Sequence, residues 1–272
     1  MKKLFICLLT FTLVFGATPK KLFSQEIEGG MVKYQEITKL DFSGRKGPGM
    51  DNQRIKDFIA SLPEESKIVK TLHFTKEASL YEEIESENAD VDPNVRRATF
   101  FMSMRNKPKP SIVKIYNDLE KNKTIEKLNF MTRDFIVESD IETKNWKLSP
   151  KMKKILDYTC MNASLIIEND STDNDTIVAW FTAEIPISIG PERHIGLPGL
   201  ILAVEKNRET ILLASSIELT TPEKDVLVKP SEGKKVTQEE LDKIIQEKVE
   251  EFKATRRQGG GGHRGGGGGY RH

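Results

Sequence analysis

Cysteine is almost missing from this chain: there are two in 272 residues. One of them, Cys7, lies in the apolar run Leu4 to Ala17, which follows Lys2 and Lys3 and is too short to span a bilayer comfortably. Basic residues ahead of a short apolar run are the pattern of a signal peptide, and Cys7 follows bulky Ile6, away from the setting that lipoprotein processing needs. Removing that leader leaves Cys160 alone, so no intrachain disulfide is expected even in an oxidising compartment. Cys160 stands in a strand-like run and reads as a buried, inert thiol. Histidine is also scarce, with four in all. G-x-S-x-G, H-E-x-x-H, the phosphate-binding P-loop and C-x-x-C are all missing, which removes the common hydrolase, zincin, nucleotide and redox frameworks. No later apolar run is long enough to cross a membrane. The acidic run Asp170 to Asp175 (D-x-x-D-x-D) lacks the glycine and the distal bidentate Glu of a calcium loop and reads as a solvated turn. No catalytic residue, metal site or cofactor is expected from these patterns.

Charge is present in quantity but unevenly placed. The composition is 37% hydrophobic and 31% charged, which is that of a soluble, charge-rich globular protein. Lys253, Arg256, Arg257, Arg264 and Arg271 crowd the end of the chain with no acid among them. If cleavage follows Ala17, loss of Lys2 and Lys3 turns the formal charge from +1 to −1, so a weakly acidic body precedes a basic tail. That is not the distribution of a nucleic-acid-binding domain, and no nucleic acid is expected as a partner.

Residues 1–25 are therefore read as the signal peptide, with cleavage somewhere between 17 and 25. Met31 to Leu40 alternates imperfectly and predicts a strand. Arg54 to Leu62 places Ile55, Phe58, Ile59 and Leu62 on one helical face, with Asp51 or Asn52 to cap it and Pro63 to stop it, which predicts a short helix lying across a sheet. Ile68 to Phe74 with Leu80 to Ile84, and Ile112 to Tyr116 with Ile125 to Phe130, predict two hairpins. Glu85 to Val95 reads as a loop and Ala98 to Met104 as a strand. Further strands are predicted at Phe135 to Val137, Trp146 to Leu148, Tyr158 to Ile167, Thr176 to Thr182, Leu200 to Val204 and Ile211 to Leu219. Strands at this spacing argue for a mainly β, antiparallel architecture over residues 26–220. Ile177, Ala179 and Phe181 alternate with Val178 and Trp180, so both faces are apolar and something must cover the second: a helix, a long loop or a ligand. Residues 221–236 read as a linker. Thr237-Gln238-Glu239-Glu240 is a capping box that opens an amphipathic helix over 237–257, and 258–272 read as a disordered Gly/Arg/His tail.

The stretch that organises the chain is Ala183 to Lys206, A-E-I-P-I-S-I-G-P-E-R-H-I-G-L-P-G-L-I-L-A-V-E-K. Its prolines and glycines forbid a helix or central strand in the first half, and Pro198-Gly199 predicts a type II turn with Gly199 near φ +80°. Gly196-Leu197-Pro198-Gly199-Leu200-Ile201, with Asp157-Tyr158-Thr159-Cys160, Ala163, Ala179-Trp180-Phe181-Thr182, Glu184-Ile185-Pro186 and Gly190-Pro191, resembles the GLPGLI family of secreted Bacteroidota proteins. That resemblance covers roughly residues 145 to 220. It implies an exported protein of the periplasm or outer-membrane periphery, associated with TonB-dependent outer-membrane transport, and implies no established activity. The order of strands also resembles LolA-type envelope proteins, whose curved half-barrel encloses an apolar cavity; this bears on fold alone.

A non-catalytic binding or accessory module follows. Its candidate binding residues are the signature loop, His194, Leu197, Pro198 and Gly199, over an apolar floor of Trp180 and Phe181. The implied partners are an outer-membrane transporter or other envelope protein, with an apolar ligand or lipid as the ligand. Two alternatives stand beside this reading: a peptidase-like hydrolase using His194 with Glu192, and a metal-handling protein using His263 and His272 of the tail.

Overall fold

Alternation of apolar and polar residues puts one side chain in two on each face of a strand, and the computed structural model converts most of the predicted runs into one sheet. It describes residues 27–41, 52–103, 110–142, 144–167, 175–207, 209–223 and 225–259. The strands are β1 (Gly29–Lys39), β2 (Glu65–Thr75), β3 (Ala78–Glu82), β4 (Ser111–Asp118), β5 (Lys123–Phe130), β6 (Arg133–Asp140), β7 (Lys147–Ile155), β8 (Tyr158–Ile167), β9 (Asp175–Thr182), β10 (Leu200–Lys206), β11 (Thr210–Glu218) and β12 (Lys234–Val236), with helices α1 (Gln53–Ser61), α2 (Pro93–Ser103) and α3 (Gln238–Gly259). The order across the sheet is β12-β6-β5-β4-β3-β2-β1-β11-β10-β9-β8-β7. The first strand of the chain thus lies in the middle, with one meander running outward from each of its edges.

This order forces the sheet to curl. β6 and β7 stand second and twelfth in the order, about 48 Å apart if the sheet were flat. Only the six residues 141–146 join them, and Asp140 to Lys147 fully extended reaches about 25 Å. The fold is therefore mainly β, a large, curved, open sheet, and the 141–146 strap crosses its mouth. Strand register defines the inner face: Val32, Leu72, Tyr81, Ile115, Glu126 and Val137 stand opposite one another across β1 to β6. All but Glu126 are apolar or aromatic and all six are buried. On the same face, Leu241 of α3 packs with Leu128, Phe130, Phe135 and Val137. The capping box is complete in both directions: Glu240 N–H donates to Thr237 Oγ1 at 3.2 Å and Thr237 N–H to Glu240 Oε2 at 3.0 Å.

Four expectations need correction. Ala98 to Met104 is not a strand; residues 93–103 form α2. Asp92 caps it, its side chain accepting from Asn94 N–H at 2.7 Å, and Pro93 stands at the first helical position, where its missing N–H costs nothing. Predicted helix α1 exists, capped by Asn52, but none of its residues is buried, so it does not lie across the sheet. The linker over 221–236 ends in β12, which pairs with β6 in parallel, so the sheet is antiparallel except at this edge. The helix expected over 237–257 runs on to Gly259, into the predicted tail. The rest of that tail, residues 1–25 expected to be a signal peptide, Met104 and residues 168–174 lie outside the described residues.

Where β3 stops short, Asn88 takes the place of a strand. Its side chain accepts from Val69 N–H at 2.7 Å and donates to Val69 C=O at 2.8 Å, as a neighbouring backbone amide would.

Candidate functional site

The segment 183–199, between β9 and β10, is the cover that the two-faced strands require. Ile185, Ile187 and Ile189 are buried and alternate with exposed Pro186 and Ser188. They join a cluster with Cys160 and Ala203, which stand on the opposite strand face from Phe181 and Val204. Leu197 instead joins Phe181, Ile201, Val204 and Leu212. The loop is stitched to β10 by backbone bonds, Leu200 N–H to Ile185 C=O at 3.0 Å and Ile201 N–H to Ile189 C=O at 2.9 Å. From the middle of the sheet, buried Tyr34 donates its hydroxyl to Ile201 C=O at 2.6 Å. Gly199 has φ +148° rather than the +80° of a type II turn. Its N–H donates to Leu197 C=O at 2.8 Å, closing a three-residue turn around Pro198.

At the loop's tip, Pro191 to His194 makes a tight turn with Glu192 at φ +55°, and the turn sends adjacent charges in different directions. Arg193 donates through Nε and Nη2 to the two carboxylate oxygens of Glu126 on β5, a planar two-bond match. Glu126 is nearly buried, so this pair answers the one charged residue in the apolar row of the inner face. Glu192 accepts from Lys206 Nζ at 2.9 and 3.1 Å. Burial alone would raise the Glu192 pKa, but the contacting Lys206 wins and holds the carboxyl below its ordinary range. Further along the inner face Lys70 pairs with Glu83 at 2.7 Å and stands 4.0 Å from Glu36. Burial nonetheless raises the Glu36 pKa.

His194 is 5% exposed. Its Nδ1 lies 3.0 Å from Pro191 C=O, and its ring leans on Trp146, with centroids 6.3 Å apart. Trp146 in turn donates Nε1–H to Ile195 C=O at 3.0 Å, pinning the loop to the strap. Burial pushes the His194 pKa down to about 4, with Glu192 opposing, so the imidazole is neutral at pH 7. Because the folded value lies below the unfolded value near 6.5, the unfolded chain takes the proton first and stability falls as pH drops through that window. His73, also lowered by burial, acts in the same direction. Urea unfolding should show a loss of about 1 to 2 kcal/mol between pH 6.5 and 5, roughly halved or better by His194→Gln. An unchanged slope in the variant would show that His194 is not buried neutral.

Strap, loop and the start of α3 enclose a cavity of about 490 Å³ over the inner face. Asn117, Thr124, Glu126 and Ser139 form its floor, Glu192, Arg193 and Ile195 one wall, Glu142 and Lys144 the strap side, and Gln238 and Glu239 the helix side. Most of its lining residues are polar, but Ile115, Ile141 and Ile195 also line it and polar and apolar atoms are exposed in about equal measure. Among the described residues no group of three or more His, Cys, Asp or Glu is arranged to hold a metal ion, and no helix is long and apolar enough to cross a membrane. His263 and His272 lie outside the described residues.

The predicted site residues are only partly brought together. Phe181 and Leu197 share one buried cluster, while Trp180 faces the other side of the sheet. There Lys153 Nζ stands 4.1 Å over the Trp180 ring and Trp180 Nε1 donates to Glu205 at 3.3 Å. Trp180 and Phe181 therefore do not form a common floor, since neighbours on a strand point to opposite faces. Pro198 is exposed, Gly199 is buried against Thr182, and neither His194 nor Gly199 lines the cavity. Buried Cys160 has its thiol pKa pushed up to about 11 by burial, as an inert thiol should. Glu126, Arg193, Trp146 and Tyr34 were not singled out from the sequence; only the lone acid among the alternating apolar residues of β5 hinted at one of them.

Fold and site together define a curved-sheet protein with a recess over its inner face, one wall of which is the tip of its own proline-glycine loop. Residues 167–203 match the family model described as "Protein of unknown function (Porph_ging)", the family of the G-L-P-G-L-I motif. No curated protein matches the chain. Among solved structures, PNGF-II in its P21 and C2 space groups is similar, at 15% and 14% identity and a TM-score of 0.47 in each case. The match covers 80% of this chain and 33% of that one, so this chain spans about a third of the PNGF-II length.

Proposed function

We propose that the protein is a non-catalytic binding module of the GLPGLI family, exported by its leader to the cell envelope, that holds a small polar molecule in the recess beneath the signature loop. The observation that carries this reading is the cavity itself. Its volume falls in the range of small-molecule sites, and its floor is built from side chains on strands, the stiffest supports the fold offers. Apolar volume on the inner face is filled by the protein's own Phe181, Leu197 and Leu241, which favours a polar ligand over the apolar ligand or lipid suggested by the strands. A binding role is favoured over hydrolysis because His194 is buried away from the cavity and bonded to Pro191, while Glu192 is engaged by Lys206. Association with a TonB-dependent outer-membrane transporter is part of the reading and rests on the family resemblance alone.

Titration of the full-length protein with glucosamine, lysine and glutamate, followed by amide shifts in an NMR spectrum, tests it. At least one probe should move the signals of Asn117, Thr124 and Ser139 with a dissociation constant below about 1 mM. Ser139→Trp, which fills the recess, should abolish the shifts while keeping the melting temperature. No movement with any probe, or shifts that persist in the filled variant, would remove the recess as the binding site.

A further inference from the structure

The far end of the sheet carries a second surface, unrelated to the recess. β7 is the terminal strand, paired with β8 on one side, and no described strand lies beyond it. An edge of this kind leaves a row of backbone donors and acceptors open. Leu148 and Met152 are 64% and 62% exposed, and with Leu156, Ile166 and Ile167 they make up most of the exposed large hydrophobics among the described residues. Register places Leu148 opposite Ala163 and Met152 opposite Met161, so they prolong the Phe181 cluster past the point where anything covers it. Charge here has one sign. Residues 144–154 contain Lys144, Lys147, Lys151, Lys153 and Lys154 and no acid. Lys153 is held by Glu205 at 3.5 Å, whereas Lys147, Lys151 and Lys154 form no ion pair among the described residues.

Lysines and a proline on an edge strand ordinarily guard against pairing with other chains. Pro150 supplies no N–H, and the register shifts between Ser149 and Met152, so the guard is strongest at the middle of β7. Past the shift, Met152 to Ile155 pairs regularly, and with Lys151 just ahead of it the segment is basic and carries exposed Met152. A second copy of the chain would set lysine against lysine across the new pair, which is unfavourable. A strand bearing carboxylates meets the opposite condition. We propose that Lys151 to Ile155 is a strand-addition site for an extended acidic segment of a partner protein, which pairs with the open edge, places its carboxylates against Lys151 and Lys154, and covers Met152 with an apolar side chain.

The probe is a capped ten-residue peptide of Thr with Glu-Thr-Val-Glu at its centre, whose two Glu in antiparallel register fall opposite Lys154 and Lys151 and whose Val falls opposite Met152, titrated into the full-length protein. The expected result is saturable binding that weakens at high salt, with slowed hydrogen exchange at the amides of residues 151–155. The double variant Lys151→Glu, Lys154→Glu should bind at least tenfold more weakly while melting at the same temperature. The same peptide N-methylated on alternate residues keeps its charge and loses its hydrogen bonds, and it too should bind at least tenfold more weakly. Equal binding of the methylated peptide would overturn strand addition. So would preferential binding to vesicles containing phosphatidylglycerol, which would make the edge a site for anionic lipid, or a concentration-dependent dimer abolished by the double variant.

Discussion

Gly199→Ala is expected to lower stability by about 3 kcal/mol or more. Two conditions meet at this residue. Its φ of +148° is a region that side chains rarely adopt, and an added Cβ would fall 2.0 Å from Thr182 C=O and 3.1 Å from Ala183 Cα. Both obstacles are backbone, so no side-chain rotation relieves them. The turn around Pro198 would have to move, and with it the start of β10, whose residues Leu200 to Val204 are all buried. Gly196 separates the two effects. Its φ is +93°, but a Cβ there would meet nothing within 4 Å, so Gly196→Ala should cost only the conformational strain, about 1 kcal/mol. Urea midpoints of the two variants decide the matter. If they coincide, close approach to Thr182 is not what Gly199 is for.

Arg193→Ala should cost about 2 to 3 kcal/mol. Half of the Arg193 side chain is exposed, so little is lost from the arginine itself; the penalty falls on Glu126, 7% exposed and left without its partner. Glu126→Gln, Arg193→Ala should therefore be more stable than Arg193→Ala alone, because the neutral amide needs no counter-charge. Lysine at 193 should restore part of the loss, as it supplies charge without the fork that engages both oxygens. Chemical denaturation of the unmodified protein, Glu126→Gln, Arg193→Ala and the double variant gives the coupling directly. A coupling near zero would mean that the loop is held over the sheet by Trp146 and Tyr34 rather than by this pair.

What could be read from the residues and what could not divides by distance along the chain. β2 with β3 and β4 with β5 were legible because alternation and turn are local signals. Ala98 to Met104 reads as a strand, and Glu85 to Val95 as a loop, because Phe100-Phe101-Met102 is an apolar run of strand length and the residues before it are polar. Asp92-Pro93, a cap followed by a helix-starting proline, was the stronger signal and pointed the right way. The three-residue β12 carries too little pattern to be seen at all. For the site, the loop and its glycines were visible as chemistry, but its contacts were not. Arg193 and Glu126 stand 67 residues apart and Tyr34 and Ile201 stand 167 apart. The curl that brings them together follows from the short strap between the two ends of the sheet, which becomes informative only once strand order is known.

The central place of β1 also sets a constraint on assembly. Each outward meander is built from neighbours in sequence and can form hairpin by hairpin, β2 to β6 on one flank and β7 to β11 on the other. The seam between β1 and β11 is different: Lys33 and Ser215, bonded across it, are 182 residues apart, and closing so long a loop is slow. Synthesis delivers one side of the seam first and the other near the end, so the middle of the finished sheet spends most of the chain's emergence as an exposed edge. A chain cut short before Thr210 would keep that edge permanently, with Val32 and Tyr34 beside it, and would be a stronger candidate for aggregation than one cut short within α3.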